Sequence, residues 1–202
     1  MTRGLVLILG ESLNDSRSIL HLLIHANPAL EGRVKPVPKP ISLTRSASQS
    51  KVRDWVKEID DVVRGYRAAG RLVTAVLVHR DADRHDPQGT EENRLNDQLR
   101  TIQARAVVPV RMIESWWFLF PDAVEAVRPK AWRSVMPRSA RDVEAIPDPK
   151  RELIRITRKR GRHSYSEADS TAIAESIRRN NTAMLGNSMS YNRFRELARS
   201  IK

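Results

Sequence analysis

Four acidic side chains of this sequence follow predicted strands, where they could hold a cation. They are Glu11, Asp81, Asp83 and Glu114. Because the carboxyl ends of parallel strands meet at one edge of a sheet, we expect these four side chains to converge there. Carboxylates packed close together repel one another unless a cation lies among them. Oxygen ligands without cysteine select a hard ion, so the pattern predicts Mg²⁺ or Mn²⁺.

A divalent ion held at this edge would support phosphodiester chemistry. Such an ion can orient a phosphodiester, stabilise charge on the phosphate oxygens and activate a water molecule. We therefore expect Glu11, Asp81 and Asp83 to be the catalytic residues. The same three side chains, with Glu114, are the predicted metal ligands.

Each acidic position also has a structural interpretation. A glutamate after a strand can be a solvated turn residue or a favourable charge at a helix N-terminus. Glu114 can simply cap the helix that follows it. The Asp81-Ala82-Asp83 spacing also occurs in sugar-nucleotide transferases and in haloacid-dehalogenase phosphatases, but His85 stands where those phosphatases normally carry threonine or valine.

Alternating strands and helices are predicted to position these residues. Unbroken aliphatic runs are typical of strands covered on both faces, and apolar residues three and four apart predict amphipathic helices. The predicted strands are 4–9, 72–78 and 106–113, with an extended edge segment or loop around the prolines at 36, 38 and 40. The predicted helices are 14–27, 52–70, 90–104, 114–120, 121–127, one starting near 149, 167–178 and 191–201. This order predicts an α/β fold with a mostly parallel sheet and helices on both faces.

The chain changes character after residue 128. Prolines at 129, 137, 147 and 149 punctuate a loop-rich stretch, and a basic run and two predicted helices follow it. We interpret residues 1–128 as an α/β domain. Residues 129–202 are then a small, basic, helical C-terminal appendage rather than an independent domain.

The composition predicts a protein that meets phosphates. Among its 202 residues, 36 lysines and arginines against 24 aspartates and glutamates give a net charge of +12, which favours nucleic acid as the partner. The absence of cysteine excludes disulfides, thiolate metal sites and cysteine nucleophiles. No apolar run approaches the roughly 18 residues of a membrane helix. We therefore expect no membrane partner and a cytoplasmic location.

Basic side chains near the acidic residues are candidate contacts to DNA or RNA. The run from Lys150 to Arg162 is by default a solvated surface, but its density of charge on so basic a chain also favours phosphate binding. Lys150 follows the Asp-Pro start of a predicted helix, where backbone N–H groups attract anions. The candidates are Lys150, Arg80, Arg158, Lys159 and Arg160.

Several segments resemble the Toprim (topoisomerase–primase) signature, in which a glutamate follows the first strand and Asp-x-Asp follows a later one. Gly10-Glu11-Ser12 and Arg80-Asp81-Ala82-Asp83 carry that likeness. Three further segments are similar to a family of Toprim-like proteins that are often encoded beside ABC-type or SMC-like ATPases and are thought to act in defence against mobile DNA. These segments are Glu114-Ser115-Trp116-Trp117, Pro147-Asp148-Pro149-Lys150 and Ser190-Tyr191-Asn192-Arg193-Phe194.

The resemblance implies a Toprim-like fold and a metal-dependent nucleic-acid active site. Glu11 would act as general acid or base or as a metal ligand, and Asp81 and Asp83 would hold the metal. Serine after Glu11 leaves nuclease and strand-transfer chemistry open. The first alternative is a non-catalytic regulatory or sensor subunit of an ABC-type ATPase complex, and the second is a nucleotidyl or glycosyl transferase that uses the Asp-x-Asp pair.

Overall fold

The fold is built on a parallel β-sheet. A computed structural model describes residues 4–44, 47–139, 142–158 and 163–202. Within these ranges four strands lie in the order β2-β1-β3-β4, and every pairing is parallel. The strands are β1 (Leu5–Leu9), β2 (Val34–Pro36), β3 (Val73–His79) and β4 (Ala104–Val107). The proline-rich segment therefore contributes an edge strand, where a missing N–H is tolerated.

Helices cover both faces of this sheet, which confirms the predicted α/β class. In the described ranges they are α1 (Leu13–Ala26), α2 (Gln49–Ala68), α3 (Thr90–Leu99), α4 (Glu114–Trp117), α5 (Pro121–Val127), α6 (Pro149–Arg158), α7 (Ala168–Asn180) and α8 (Met189–Ser200). Short 3₁₀ turns occupy Pro28–Leu30, Arg100–Ile102 and Val143–Ala145. None of the helices in the described part of the chain has the length and apolarity that a bilayer span requires.

Two hydrophobic cores form because successive side chains of a strand point to opposite faces. Ile8 and Leu77 of the central strands face a core shared with α1 and with the helices after β4. Leu9 and Val78 face a second core, which α2 and α3 complete. The two central strands are thus covered on both sides, as their unbroken aliphatic sequences predict.

The C-terminal segment is part of the first core. Leu153 of α6, Ile173 of α7 and Phe194 of α8 are each 3% exposed or less and pack in the same cluster as Ile8. The Asn27 side chain, at the end of α1, donates to the carbonyl of Ala198 at 2.9 Å. Residues after 128 therefore form a layer over the sheet rather than a separately folded unit.

The third predicted strand is shorter than its sequence indicates. The aliphatic run predicts a strand over 106–113, but β4 covers Ala104–Val107. Pro109 has no N–H with which to continue a ladder, and the φ of Arg111 is 61°. The segment still runs beside the residues that follow β3, since the Ala82 N–H donates to the Pro109 carbonyl at 3.1 Å. The chain after β4 therefore forms a loop that braces the end of β3.

Replacing Leu153 with alanine tests whether the C-terminal layer shares the core of the sheet. Leu153 is fully buried, so Leu153→Ala should lower the free energy of unfolding by about 2–5 kcal/mol in urea titrations. The matched control is Leu72→Ala at a leucine that is 55% exposed, and it should cost about 0.5 kcal/mol or less. A separate unfolding transition for the C-terminal helices, with the sheet unaffected, would contradict this packing.

Candidate active site at the sheet edge

The carboxyl ends of β1 and β3 lie side by side at the point where the strand order of the sheet reverses. From β1 the chain passes first to β2 on one side, and it later returns to place β3 on the other side. Strand connections diverge at such a point and leave a crevice in which α/β proteins bind ligands. Leu9 lies beside Val78 in the register, so Glu11 and Asp81 leave the sheet at neighbouring points of this crevice.

The Asp81 carboxylate acts electrostatically on Glu11. Burial raises the pKa of Glu11, and the charge of Asp81 raises that pKa further. His79, Arg80 and the backbone N–H of Asp81 act in the opposite direction, but the balance stays above the ordinary value. The structure therefore brings these two predicted residues together at a partly buried edge, where the ionised form of Glu11 is disfavoured.

Asp81 is oriented by the start of α4. The backbone N–H of Ile113 donates to Asp81 Oδ1 at 2.9 Å. His79 Nε2 lies 3.4 Å from the same oxygen, although the geometry is not that of a hydrogen bond. Burial raises the pKa of Asp81, and the charge of Asp15 adds to this, whereas His79 and the Ile113 N–H act against it. Asp81 is thus fixed in position while its ionised form is disfavoured.

His79 is a buried base next to Asp81. It is the last residue of β3 and is 1% exposed. Neither ring nitrogen has a hydrogen-bond partner among the described residues. Burial lowers the pKa of His79, but the charges of Asp81, Asp15 and Glu11 raise it above the ordinary value. A proton on His79 would offset part of the negative charge at this edge.

Asp83 does not join Glu11 and Asp81. Its φ of 56° lies in the left-handed region, which breaks the alternation that would keep Asp81 and Asp83 on one face. Its carboxylate is 48% exposed and lies 3.8 Å from the Arg80 guanidinium. The expectation that both aspartates of the pair would hold one ion does not match this geometry, because a single backbone conformation turns the second one away.

Arg80 is an internal ion-pair partner rather than a surface contact. Its side chain is 2% exposed and donates to the Leu43 carbonyl at 3.0 Å and to Glu91 at 2.8 Å. Glu91 also accepts from Arg94 at 2.7 Å. Because Arg80 follows β3 on the face of α2 and α3, it links the sheet to α3. Its burial excludes the predicted contact with nucleic acid.

Glu114 reaches the acidic edge from α4. It is 5% exposed, and the Tyr165 hydroxyl donates to its Oε1 at 3.1 Å. The same hydroxyl lies 2.6 Å from Oγ of Ser170, so the chain before α7 closes over Glu114. Burial, followed by the charge of Asp81, raises the pKa of Glu114 to about 7. Tyr165 carries no sequence signal for this position, since the contact spans 51 residues.

Lys150 brings positive charge to the same edge. It pairs with Glu167, and the charges of Glu114 and Asp81 also act on it. The hydrogen bond to Glu167 is the main cause of a raised Lys150 pKa. Arg158 is exposed at the other end of α6, about 12 Å away along the helix axis. The other two predicted contacts, Lys159 and Arg160, lie outside the described residues.

The donors at this edge fit a hard ion held by two carboxylates better than the four-ligand site expected from the sequence. In the described ranges, no three acidic or histidine side chains come together in a group that could hold a metal ion. Mg²⁺, however, is often bound through only one or two carboxylates, with water and substrate phosphates completing its shell. Glu11 and Asp81 provide such a pair.

Comparison with known proteins finds no relative of this chain. No protein-family model, curated protein or solved structure matches the chain. The Toprim-like resemblance therefore stays a prediction from the motifs, whereas the α/β class of the fold is shown by the structure.

Substitution of Glu114 by glutamine should remove a pH dependence of stability. The folded protein holds the Glu114 proton up to a pH of about 7, whereas the unfolded chain releases it near the ordinary value of 4.5. The free energy of unfolding should therefore fall as pH rises through this window, by on the order of 1.4 kcal/mol per unit of pKa difference. Glu114→Gln keeps an oxygen for Tyr165 and cannot ionise, so its stability should change less.

Urea unfolding between pH 4 and pH 8 with a chelator present measures this effect. Glu196→Gln makes the same chemical change at an exposed glutamate of α8 and should retain the wild-type slope. An unchanged slope in Glu114→Gln would show that another group causes the pH dependence.

Proposed function

We propose that this protein is a Mg²⁺- or Mn²⁺-dependent nucleic-acid phosphodiesterase of Toprim-like type. The observation that carries the proposal is the juxtaposition of Glu11 and Asp81 at the switch point between β1 and β3. We further propose that it acts in the cytoplasm as the nuclease of an anti-phage defence system, under the control of an ABC- or SMC-like ATPase. The sequence resemblance alone supports that setting.

Metal dependence follows from the charges at the edge. Glu11, Asp81 and Glu114 all have raised pKa values, first because burial disfavours their ionised forms. An anionic phosphodiester would be repelled by these carboxylates unless a cation neutralised them. A bound Mg²⁺ or Mn²⁺ would supply that charge, polarise the phosphate and make water a better nucleophile.

The chain's own residues have distinct roles in this proposal. Glu11 and Asp81 would hold the ion, and the Ile113 N–H fixes the orientation of Asp81. Lys150, which is 39% exposed beside the edge, would contact a neighbouring phosphate. Glu114, which accepts a hydrogen bond from the Tyr165 hydroxyl, would form the buried side of the crevice. The net charge of +12 would draw the polyanion to the protein over a longer range.

A second candidate is a non-catalytic subunit that retains the fold and binds an ATPase. The ion pair between Asp83 and Arg80 favours it, because it takes one predicted ligand away from the edge. This candidate predicts a stable complex with the ATPase and no cleavage, with or without divalent ions.

Cleavage of labelled single-stranded and duplex DNA and RNA tests the proposal. The purified protein, alone and with its proposed ATPase partner, should cut at least one substrate with Mg²⁺ or Mn²⁺ and none with chelator. Asp81→Asn and Glu11→Gln should each lower the rate roughly 10²-fold or more, since each removes a charged group from the reacting centre. The matched control is Asp97→Asn at an exposed aspartate of α3, which should cut at the wild-type rate.

Metal binding separates the two candidates if no cleavage is seen. Saturable binding of Mn²⁺ in calorimetry that is lost in Asp81→Asn would retain the proposed site. Neither binding nor cleavage, in any state of the complex, would favour the regulatory subunit. Cleavage that Asp81→Asn leaves unchanged would refute the assignment of the site.

Lys150 should contribute to nucleic-acid affinity independently of cleavage. Lys150→Ala should weaken binding of a chelator-treated duplex and lower the slope of log affinity against log salt by about 1, as loss of one phosphate contact does. Lys57→Ala removes the same charge from an exposed position of α2, on the other face of the sheet, and should have a smaller effect. Equal effects of the two variants would indicate only a general influence of net charge.

A further inference from the structure

A cavity lies at the end of α1 that is opposite to the acidic edge. It has a volume of about 490 Å³ and is lined by His25 and Phe120 together with residues of the α7–α8 connection and of α8. Helix α1 begins two residues after Glu11 and has 14 residues, so its two ends are about 21 Å apart. The cavity is therefore distinct from the proposed catalytic site.

Three side chains of α8 form a stripe along the wall of this cavity. Tyr191, Arg195 and Arg199 are spaced four residues apart, which places them on one face of the helix. Other arginines nearby are neutralised: Arg178 pairs with Glu31 at 2.7 Å. Among the described residues, neither the Arg195 nor the Arg199 side chain has a carboxylate partner or a hydrogen bond. The cavity thus presents two uncompensated guanidinium groups.

Tyr191 gives the cavity a second, independent polar feature. It is 1% exposed, and its hydroxyl has no hydrogen-bond partner in the described part of the chain. The ring is held in place by Trp116 at a centroid distance of 5.1 Å and by Phe120 at 5.4 Å. The charge of Arg195 acts on both the Tyr191 hydroxyl and the His25 ring, so these groups share one local environment. A buried hydroxyl without a hydrogen-bond partner is unfavourable, and either an ordered water or a bound ligand would satisfy it.

We propose that this cavity binds a small molecule that carries a phosphate group. Guanidinium groups recognise phosphate oxygens through paired hydrogen bonds, and the Tyr191 hydroxyl would donate a further one. The volume lies within the roughly 300–1,000 Å³ of small-molecule sites. The rings of Phe120 and His25, whose centroids are 6.1 Å apart in an edge contact, form an aromatic wall against which the organic part of a nucleotide-sized ligand would pack. The proposal does not depend on the proposed nuclease activity, because it uses none of the acidic-edge residues.

Calorimetric titration of the full chain with pyrophosphate and with adenosine monophosphate tests this site. We expect saturable binding of at least one probe with a stoichiometry of one. Arg195→Ala and Arg199→Ala should each weaken binding about tenfold, as expected for the loss of charge-assisted hydrogen bonds. Tyr191→Phe removes only the hydroxyl and keeps the packed ring. It should therefore weaken binding about fivefold, while the melting temperature of the free protein does not fall below that of the wild type.

Arg67→Ala is the matched control, since it removes one exposed arginine from α2 on the other face of the sheet. Its affinity for the probes should equal that of the wild type. Absence of saturable binding, or an equal loss in Arg67→Ala, would overturn the proposal. Displacement of the bound probe by an oligonucleotide, through the same two arginines, would overturn it in favour of a nucleic-acid surface.

Discussion

Repulsion between partly buried carboxylates is the interaction around which the edge of this sheet is organised. Glu11 and Asp81 lie at this edge because β1 and β3 are adjacent and parallel, so the carboxyl ends of the two strands lie side by side. Burial and the Asp81 charge raise the pKa values of Glu11 and Glu114. Burial of these carboxylates is unfavourable, and the Ile113 N–H on Asp81 and the Tyr165 hydroxyl on Glu114 offset only part of that cost.

The C-terminal layer completes this edge instead of standing apart from it. Tyr165 and Lys150 both belong to the segment after residue 128, and both interact with Glu114. The burial of Leu153 and Ile173 in the core beneath the sheet holds that segment in place. Helix α1 begins beside the acidic crevice and ends at the arginine-lined cavity, where it contacts α8.

Positive charge is distributed unevenly over this basic chain. Next to the acidic edge, the buried Arg80 and the exposed Arg94 both pair with Glu91 near the start of α3. In the cavity beside α8, Arg195 and Arg199 have no such partner among the described residues. The net charge of +12 predicts an anionic partner but does not distinguish these two situations. Only the positions of the carboxylates decide which arginines remain available to a ligand.

The sequence by itself determined the parts of this protein that depend on local pattern. Aliphatic runs predicted β1 and β3, and Glu11 and Asp81 follow from the rule that parallel strands end at a common edge. The tertiary structure decided the rest. A positive φ turns Asp83 toward Arg80, Pro109 shortens β4, and Tyr165 meets Glu114 across 51 residues. Strand and helix periodicity is encoded in neighbouring residues, whereas the direction of a loop side chain and its burial depend on distant segments that pack against it.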